Sequence, residues 1–316
     1  MNTLPPLASI VSRLRLKHLQ LLIALDDCGT VLKAAEVVSI SQPGATKAIQ
    51  EMESTLGTLL FLRTKRGLAP TDVGRCVIRY ARLIQTDLKH LREEMADILQ
   101  GHGGRLSIGV IMGAVPLLTE VLSAMLEKQA ELSIELVEDT SERLLKLLDQ
   151  GRLDLAICRT SISQHPELYN AQVIQDETLA VVANRRHPLA ATQTVQLSEL
   201  ARYRWVVYSA NMPMRLLLER EFHDAGLQFP VNPVATTSAF ATLSMLQKNP
   251  TMVALVSTDV AEFCTSFGIV CILPMQLKSQ SESYFLVSRR DRKLTPVAQL
   301  FTEELGLAPA SDLQAL

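Results

Sequence analysis

Ser41, Gln42, Thr46 and Lys47 place two hydroxyls, a carboxamide and an ammonium group close together in the chain, just after Ser39-Ile40. The spacing predicts the start of a helix: Ser41 is a natural N-cap, and Pro43 falls in the first turn, where a missing N–H costs nothing. Gln42, Thr46 and Lys47 then project from the first turn and a half. Glutamine suits bidentate hydrogen bonding to the major-groove edge of adenine, and a helix N-terminus meets phosphate well. Downstream, Arg63, Lys65 and Arg66 add three cations suited to phosphates or the minor groove. The chemistry implied is duplex recognition.

Catalytic constellations are missing from the remainder. His18, His90, His102, His165, His187 and His223 show no HExxH or other metal-ligand spacing, and neither G-x-S-x-G nor a P-loop occurs. The expectation is a protein that is not an enzyme and carries no cofactor or metal. Cys28, Cys76, Cys158, Cys264 and Cys271 form no C-x-x-C pair, which argues against a zinc site or disulfide framework and for a reducing cytoplasm. The opening Met1-Asn2-Thr3-Leu4-Pro5-Pro6 does not read as a secretory signal, which with the helical start excludes a purely solute-binding protein. No stretch nears the ~18 apolar residues of a spanning helix. Aromatic content of 4% disfavours a stacking platform for single strands.

Periodicity gives the elements that must position these groups. Leu16 to Asp27 repeats apolar residues at helical intervals and breaks at Gly29; Thr30 then caps a short helix, Val31 to Val38, centred on Ala34 and Ala35. The helix from Gln42 runs to about Leu56 and stops at Gly57. Two short apolar runs, 59–62 and 68–71, flank a basic turn with Gly67 and predict a β-hairpin. Two helices joined by a tight turn and followed by a hairpin make a winged helix-turn-helix. Val73, Val77, Tyr80, Ile84, Leu88, Leu91, Met95 and Ile98 then repeat every three or four residues. That is one narrow stripe on a long helix, and it favours pairing with a second copy. Gly101-His102-Gly103-Gly104 ends it as a hinge.

Beyond the hinge, apolar strands alternate with helices. Strands are expected at 105–110, 134–138, 154–158, 178–183, 205–208, 231–236, 252–256, 269–273 and 284–288. The pattern predicts largely parallel sheets covered on both faces and divided between two lobes. Ligands of such sheets sit outside the carboxyl ends of the strands. That rule selects Met112, Gly113 and Ala114, then Thr140 and Ser141, Arg159 and Thr160, Ser209 and Asn211, and Thr237 and Ser238. Hydroxyls, backbone N–H groups and one arginine suit a small carboxylate or a sugar. A rival trigger is redox chemistry at Cys264 and Cys271, which would require an exposed thiol of lowered pKa.

A chain of 316 residues exceeds one domain at ~150 residues each, and 47% hydrophobic residues supply its cores. The net charge of −2 divides unevenly. Residues 1–68 hold 8 basic and 5 acidic side chains, whereas 105–316 hold 18 and 23. A basic head is therefore joined to an acidic body, and a surplus of +3 implies that several heads bind together.

Leu19-Gln20-Leu21-Leu22, Gly29-Thr30, Ala34-Ala35-Glu36, the run from Ser39 to Ile49, Glu53, Leu56-Gly57, Leu60-Phe61, Arg63, Thr71 and Gly74 closely resemble the DNA-binding domain of LysR-type transcriptional regulators. Leu147, the run Gly151-Arg152-Leu153-Asp154-Leu155-Ala156-Ile157 and His187-Pro188-Leu189 resemble further landmarks of that family. The resemblance implies a winged helix-turn-helix over 1–71, a linker and dimerisation helix with its hinge over 72–104, and an effector domain over 105–316. That domain would comprise two Rossmann-like subdomains similar to type II periplasmic binding proteins, lobe I about 105–173 and 276–316, lobe II about 174–275. By the same resemblance, Ser41, Gln42, Pro43, Thr46 and Lys47 read or flank bases. Arg63, Thr64, Lys65 and Arg66 hold the wing to phosphates, and Thr30 joins the contact set. The implied partners are promoter DNA, RNA polymerase, further copies of the chain as dimer and tetramer, and a small effector between the lobes. That effector would be a sugar, a sugar acid or an aromatic acid. Gly44 and Ala45 depart from the family pattern, where alanine and a larger apolar residue are usual; Gly44 slightly loosens the helix.

Overall fold

The computed structural model describes residues 5–307 except 65–66, 101–102, 211 and 280, and the backbone alone of 93, 94, 97, 98 and 100. The chain divides into two compact units, Met1–His102 with Lys146–Arg152, and Gly103–Leu145 with Leu153–Leu316.

The first unit contains α1 (Leu7–Arg13), α2 (Leu16–Cys28), α3 (Val31–Val37), α4 (Gln42–Leu56), β1 (Phe61–Thr64), β2 (Gly67–Pro70) and α5 (Asp72–Gln100). Leu21, Leu22 and Leu25 of α2 pack with Ala34 of α3, Ala45 and Met52 of α4 and Leu60 before the hairpin, all essentially without solvent contact. Alanine at 34, 35 and 45 keeps the helix-turn-helix pair close, because side-chain size sets interaxial distance. Ala45, a departure from the family pattern, is thus a close-packing residue. Arg82 of α5 donates to Asp26 at 2.9 Å and Asp27 at 2.6 Å on α2. Helix α1 was not expected: it buries none of its residues, so no amphipathic signal announces it.

One carboxylate ties α4 to the hairpin. Glu53 Oε1 accepts from the backbone N–H of Leu60 at 2.8 Å and Phe61 at 3.3 Å, fixing the start of β1 against α4. Thr71 donates to Leu59 O and accepts from Gly74 N, both at 2.9 Å, which anchors the start of α5. A Cβ at Gly74 would lie 2.0 Å from Leu60 O, so no side chain fits there. The strands pair antiparallel from Phe61 opposite Pro70 to Thr64 opposite Gly67.

Beyond α5 the chain forms β3 (Arg105–Val110), α6 (Val115–Lys128), β4 (Ser133–Glu138), α7 (Ser141–Asp149), whose last residues belong to the first unit, β5 (Leu155–Cys158), β6 (Tyr169–Gln175) and β7 (Leu179–Ala183). It continues through α8 (Leu197–Leu200), β8 (Arg204–Val207), α9 (Pro213–Asp224), β9 (Val234–Ala235), α10 (Ala239–Lys248) and β10 (Met252–Ser257). It ends with α11 (Thr258–Ser266), β11 (Cys271–Ile272), β12 (Tyr284–Arg289) and α12 (Pro296–Glu304). Two five-stranded sheets result, ordered β4-β3-β5-β12-β6 and β11-β7-β10-β8-β9.

These sheets are mixed, which corrects the expectation of largely parallel ones. Strand β12 runs antiparallel to β5 and β6, and β7 runs antiparallel to β10 and β11. A strand buried on both faces reads as an apolar run in either direction, so hydrophobicity carried no information about polarity. The edge strand β6 was missed because its alternating Tyr-Asn-Ala-Gln-Val-Ile-Gln forms no such run. In the second sheet successive residues feed opposite cores, Val182, Val206 and Ala254 on one face and Val181, Trp205 and Val253 on the other. Trp205 lies fully buried, donates Nε1–H to Leu200 O at 3.1 Å, and meets Phe222 edge-on at 5.7 Å.

A first test concerns the head of α4, where Ser41 Oγ accepts from Gly44 N at 3.2 Å. Ser41→Ala removes that cap and should cost about 1 kcal/mol of stability, whereas Ser41→Gly should cost only a few tenths. Urea unfolding followed by circular dichroism checks the order; equal losses for the two would show that the hydroxyl does not cap.

Candidate nucleic-acid interface and ligand cavity

The amino end of α4 presents Ser41, Gln42, Pro43 and Lys47 exposed, with Thr46 half-buried. Thr46 Oγ1 donates to Gln42 O at 3.1 Å, so its proton serves the helix while its lone pairs remain outward-facing acceptors. Lys47 sits 3.9 Å from Glu51, a loose surface pair that leaves the lysine side chain 78% exposed. Such pairs contribute little and yield readily to a phosphate. On the hairpin, Arg63 is exposed and Thr64 donates to Gly67 O at 3.2 Å, closing the ladder. Lys65 and Arg66 lie outside the described residues. Thr30 is half-buried at the N-cap of α3 and makes no side-chain cap bond. The unit thus presents a polar helix end, a hydroxyl and flanking cations on a rigid packed core.

The second unit holds a cavity of about 250 Å³ at the strand ends, and six of the expected residues line it: Met112, Gly113, Thr140, Ser141, Arg159 and Thr237. Ala114 is buried beside it and Thr160, Ser209 and Ser238 lie outside its wall; Ser238 instead caps α10, accepting from Ala241 N at 3.2 Å. Asn211 falls outside the described residues. Ile111, Glu138, Asp139, Glu177, Tyr208, Met212 and Met214 complete the lining and were not anticipated.

Glu177 is the most consequential of these. It precedes β7, and because β7 is antiparallel to β10, its amino end lies beside the carboxyl end of its neighbour, Leu179 opposite Ser257. The strand-end rule, applied to an assumed parallel sheet, passes over that position. Glu177 Oε2 accepts from Arg159 Nη2, and from Ser281 Oγ at 2.6 Å. The two side chains are 7% (Arg159) and 1% (Glu177) exposed. The Arg159 backbone N–H donates to Ser141 Oγ at 3.2 Å, and its Nε–H donates to Glu282 O at 3.4 Å. Tyr208 donates its hydroxyl to Met112 Sδ at 3.2 Å; burial raises its pKa, with Glu177 and Glu138 adding to the shift.

The cysteines are poorly placed for a redox trigger. Cys264 is buried, and burial raises its thiol pKa. Cys271 is half-buried, donates towards Asn184 O at 3.4 Å, and is likewise raised by burial. Cys158, at the end of β5, is pushed up to about 12 by burial. Among the described residues no group of three His, Cys, Asp or Glu side chains is arranged to hold a metal, and no helix is long and apolar enough to cross a membrane.

Residues 16–75 match the family profile described as bacterial regulatory helix-turn-helix protein, lysR family, and residues 99–308 match the LysR substrate binding domain. The chain is 31% identical over 303 residues to the HTH-type transcriptional regulator GbpR of Azospirillum brasilense, covering 95% of this chain and 88% of that protein. Its fold is similar to that of full-length CbnR complexed with its target DNA, with a TM-score of 0.62 at 19% identity over 93% of this chain and 99% of that one. It is also similar to the effector binding domain of QuiR in complex with shikimate, with a TM-score of 0.52 at 16% identity over 65% of this chain and 95% of that one. Both family profiles in order, and a relative of this identity along nearly the whole length, establish that the chain belongs to the LysR family of transcriptional regulators, with a DNA-binding helix-turn-helix and a substrate-binding domain, and not to a family of enzymes.

Proposed function

We propose that the protein regulates a catabolic or uptake operon by binding its promoter through residues 1–71 and a small effector in the cavity of residues 105–316. The observation that carries the reading is the exposed head of α4, where Gln42 and Lys47 are both exposed, as is the wing residue Arg63. Gln42 reads a base edge in the major groove; Ser41, Pro43, Thr46 and Lys47 flank it. Arg63 and Thr64, with Lys65 and Arg66, grip the backbone, and Thr30 approaches it from α3. CbnR, of similar fold, has been seen with its target DNA, and QuiR with shikimate, which supports both halves of the reading.

Helix α5 is the dimer contact. Leu88, Leu91 and Met95, in line with Tyr80 and Ile84, are 43%, 53% and 54% exposed, an apolar stripe without a partner on its own chain among the described residues. Val77 instead packs on the helix-turn-helix core, and the side chain of Ile98 lies outside the described residues. Pairs of dimers assemble on DNA in the cytoplasm as a tetramer, and effector occupancy changes the grip on the promoter and on RNA polymerase. Raised thiol pKa values at Cys264 and Cys271 give the redox trigger no support.

Gln42→Ala should relax base preference at one or two operator positions, each contributing about 1–3 kcal/mol of discrimination. Arg63→Ala should weaken binding to all sequences alike and reduce the slope of log affinity against log salt by about 1. Anisotropy titrations on a footprinted operator and its single-base variants separate the two. Unchanged affinity and unchanged preference in Gln42→Ala would remove α4 as the reading helix.

A further inference from the structure

A separate cavity of about 280 Å³ lies wholly within the first unit and shares no lining residue with the effector cavity. Four cations line it, Arg75, Arg79, Arg82 and Lys146, against the carboxylates of Asp26 and Asp149. Arg75, Arg79 and Arg82 recur at intervals of four and three, so they share one face of α5, where like charges repel. Two of the four are answered within the chain. Arg82 is held by Asp26 and Asp27, and Arg75 donates to Pro70 O at 2.9 Å and pairs with the exposed Asp72. Arg79 and Lys146 have no carboxylate partner among the described residues. Arg79 Nη2 donates only to Cys76 Sγ at 3.9 Å, a weak acceptor, and its guanidinium lies 5.3 Å from the Tyr80 ring centre. Asp149 is itself engaged within the chain. The walls are fixed in place: Arg82 ties α5 to α2, and Thr86 donates to Gln150 O at 2.9 Å, tying α5 to the end of α7.

We propose that this cavity is a second ligand site, which binds a small phosphate monoester through Arg79 and Lys146. Such a group carries a charge of about −1.5 to −2 near neutral pH on three acceptor oxygens. Two cations without carboxylate partners match that charge. The planar guanidinium of Arg79 suits two of the oxygens, and the ammonium of Lys146 takes the third as a point charge. Arg75 adds to the field, because its pair with an exposed aspartate is weak and readily exchanged. The volume exceeds what a bare oxyanion needs, and Pro70 and Ile78 offer an apolar wall to a short carbon skeleton. The reading residues Gln42, Lys47 and Arg63 do not line the cavity, so the site is distinct from the grip on DNA.

Titration calorimetry on the full chain, at constant ionic strength in chloride, tests the proposal. Glycerol 3-phosphate and ribose 5-phosphate are compared with glycerol, ribose, succinate and sulfate. At least one ester should bind with one site per chain while its neutral parent stays silent. Arg79→Met and Lys146→Met should each weaken that binding about 10- to 100-fold, the loss of one charge-assisted contact. Lys146 is exposed, so its substitution leaves the fold intact, and Lys248→Met, at the end of α10, should leave ester binding unchanged. Silence from both esters, equal binding of succinate or sulfate, or full ester affinity in both cavity variants would each overturn the site. Operator affinity is measured beside it in phosphate-free buffer. A loss there in Arg79→Met and Lys146→Met would assign the two cations to the DNA backbone and overturn the small-ligand site as well.

Discussion

Glu177→Ala should destabilise the effector-binding unit by about 3–5 kcal/mol, the usual cost of removing one partner from a buried ion pair. The pair itself is a weak source of stability, since desolvating two charges offsets most of their attraction. The damage comes from the partner left behind: Arg159 would stay enclosed beside Glu282 O and Ser281 with its charge uncompensated. Arg159→Met combined with Glu177→Leu removes both charges and should recover most of the loss. Urea unfolding of the two single variants and the double variant closes the cycle. A Glu177→Ala variant within about 1 kcal/mol of the parent would mean that the pair is solvated in solution.

Leu88→Glu with Leu91→Glu should convert the protein to monomers and lower operator affinity by roughly 100- to 10,000-fold. That is the range lost when two linked heads become independent. Both side chains are about half exposed in the single chain, so the substitutions remove little that holds the fold. Across a pair of α5 helices, however, they set carboxylates against carboxylates in an apolar seam. The modest surplus of basic residues in 1–68 makes the dependence on paired heads steep, because one head neutralises few phosphates. Sedimentation velocity with anisotropy on the footprinted operator gives the answer. A variant that remains dimeric with parental affinity would place the contact elsewhere.

The recognition head was legible because its determinants are local. Ser41, Pro43, Gly57 and the spacing of Ala34, Ala35 and Ala45 act within a few residues of themselves, so the helix from Gln42 to Leu56 appears where capping and periodicity put it. Helix α1 escaped notice because a helix with no buried residue leaves no stripe. The tie from Glu53 to Leu60 and Phe61 is invisible in spacing, since it depends on the chain turning back at Gly57.

The cavity was legible in part, and the boundary between the parts is physical. Apolar runs mark which segments are buried strands, and the residues after them mark one edge of a sheet, which is why Met112, Thr140, Arg159 and Thr237 were within reach. Composition and spacing by themselves determined a basic helix-turn-helix head, a long apolar-striped helix and an alternating α/β body without catalytic machinery. Only the tertiary structure decided the direction of β7 and β12. It thereby decided that Glu177, just before β7 of the second sheet, reaches Arg159, just after β5 of the first, with its other oxygen buried. Apolar character is a property that each residue carries in its own chemistry; strand polarity and a contact between two sheets, across eighteen positions of chain, exist only once both sheets have formed.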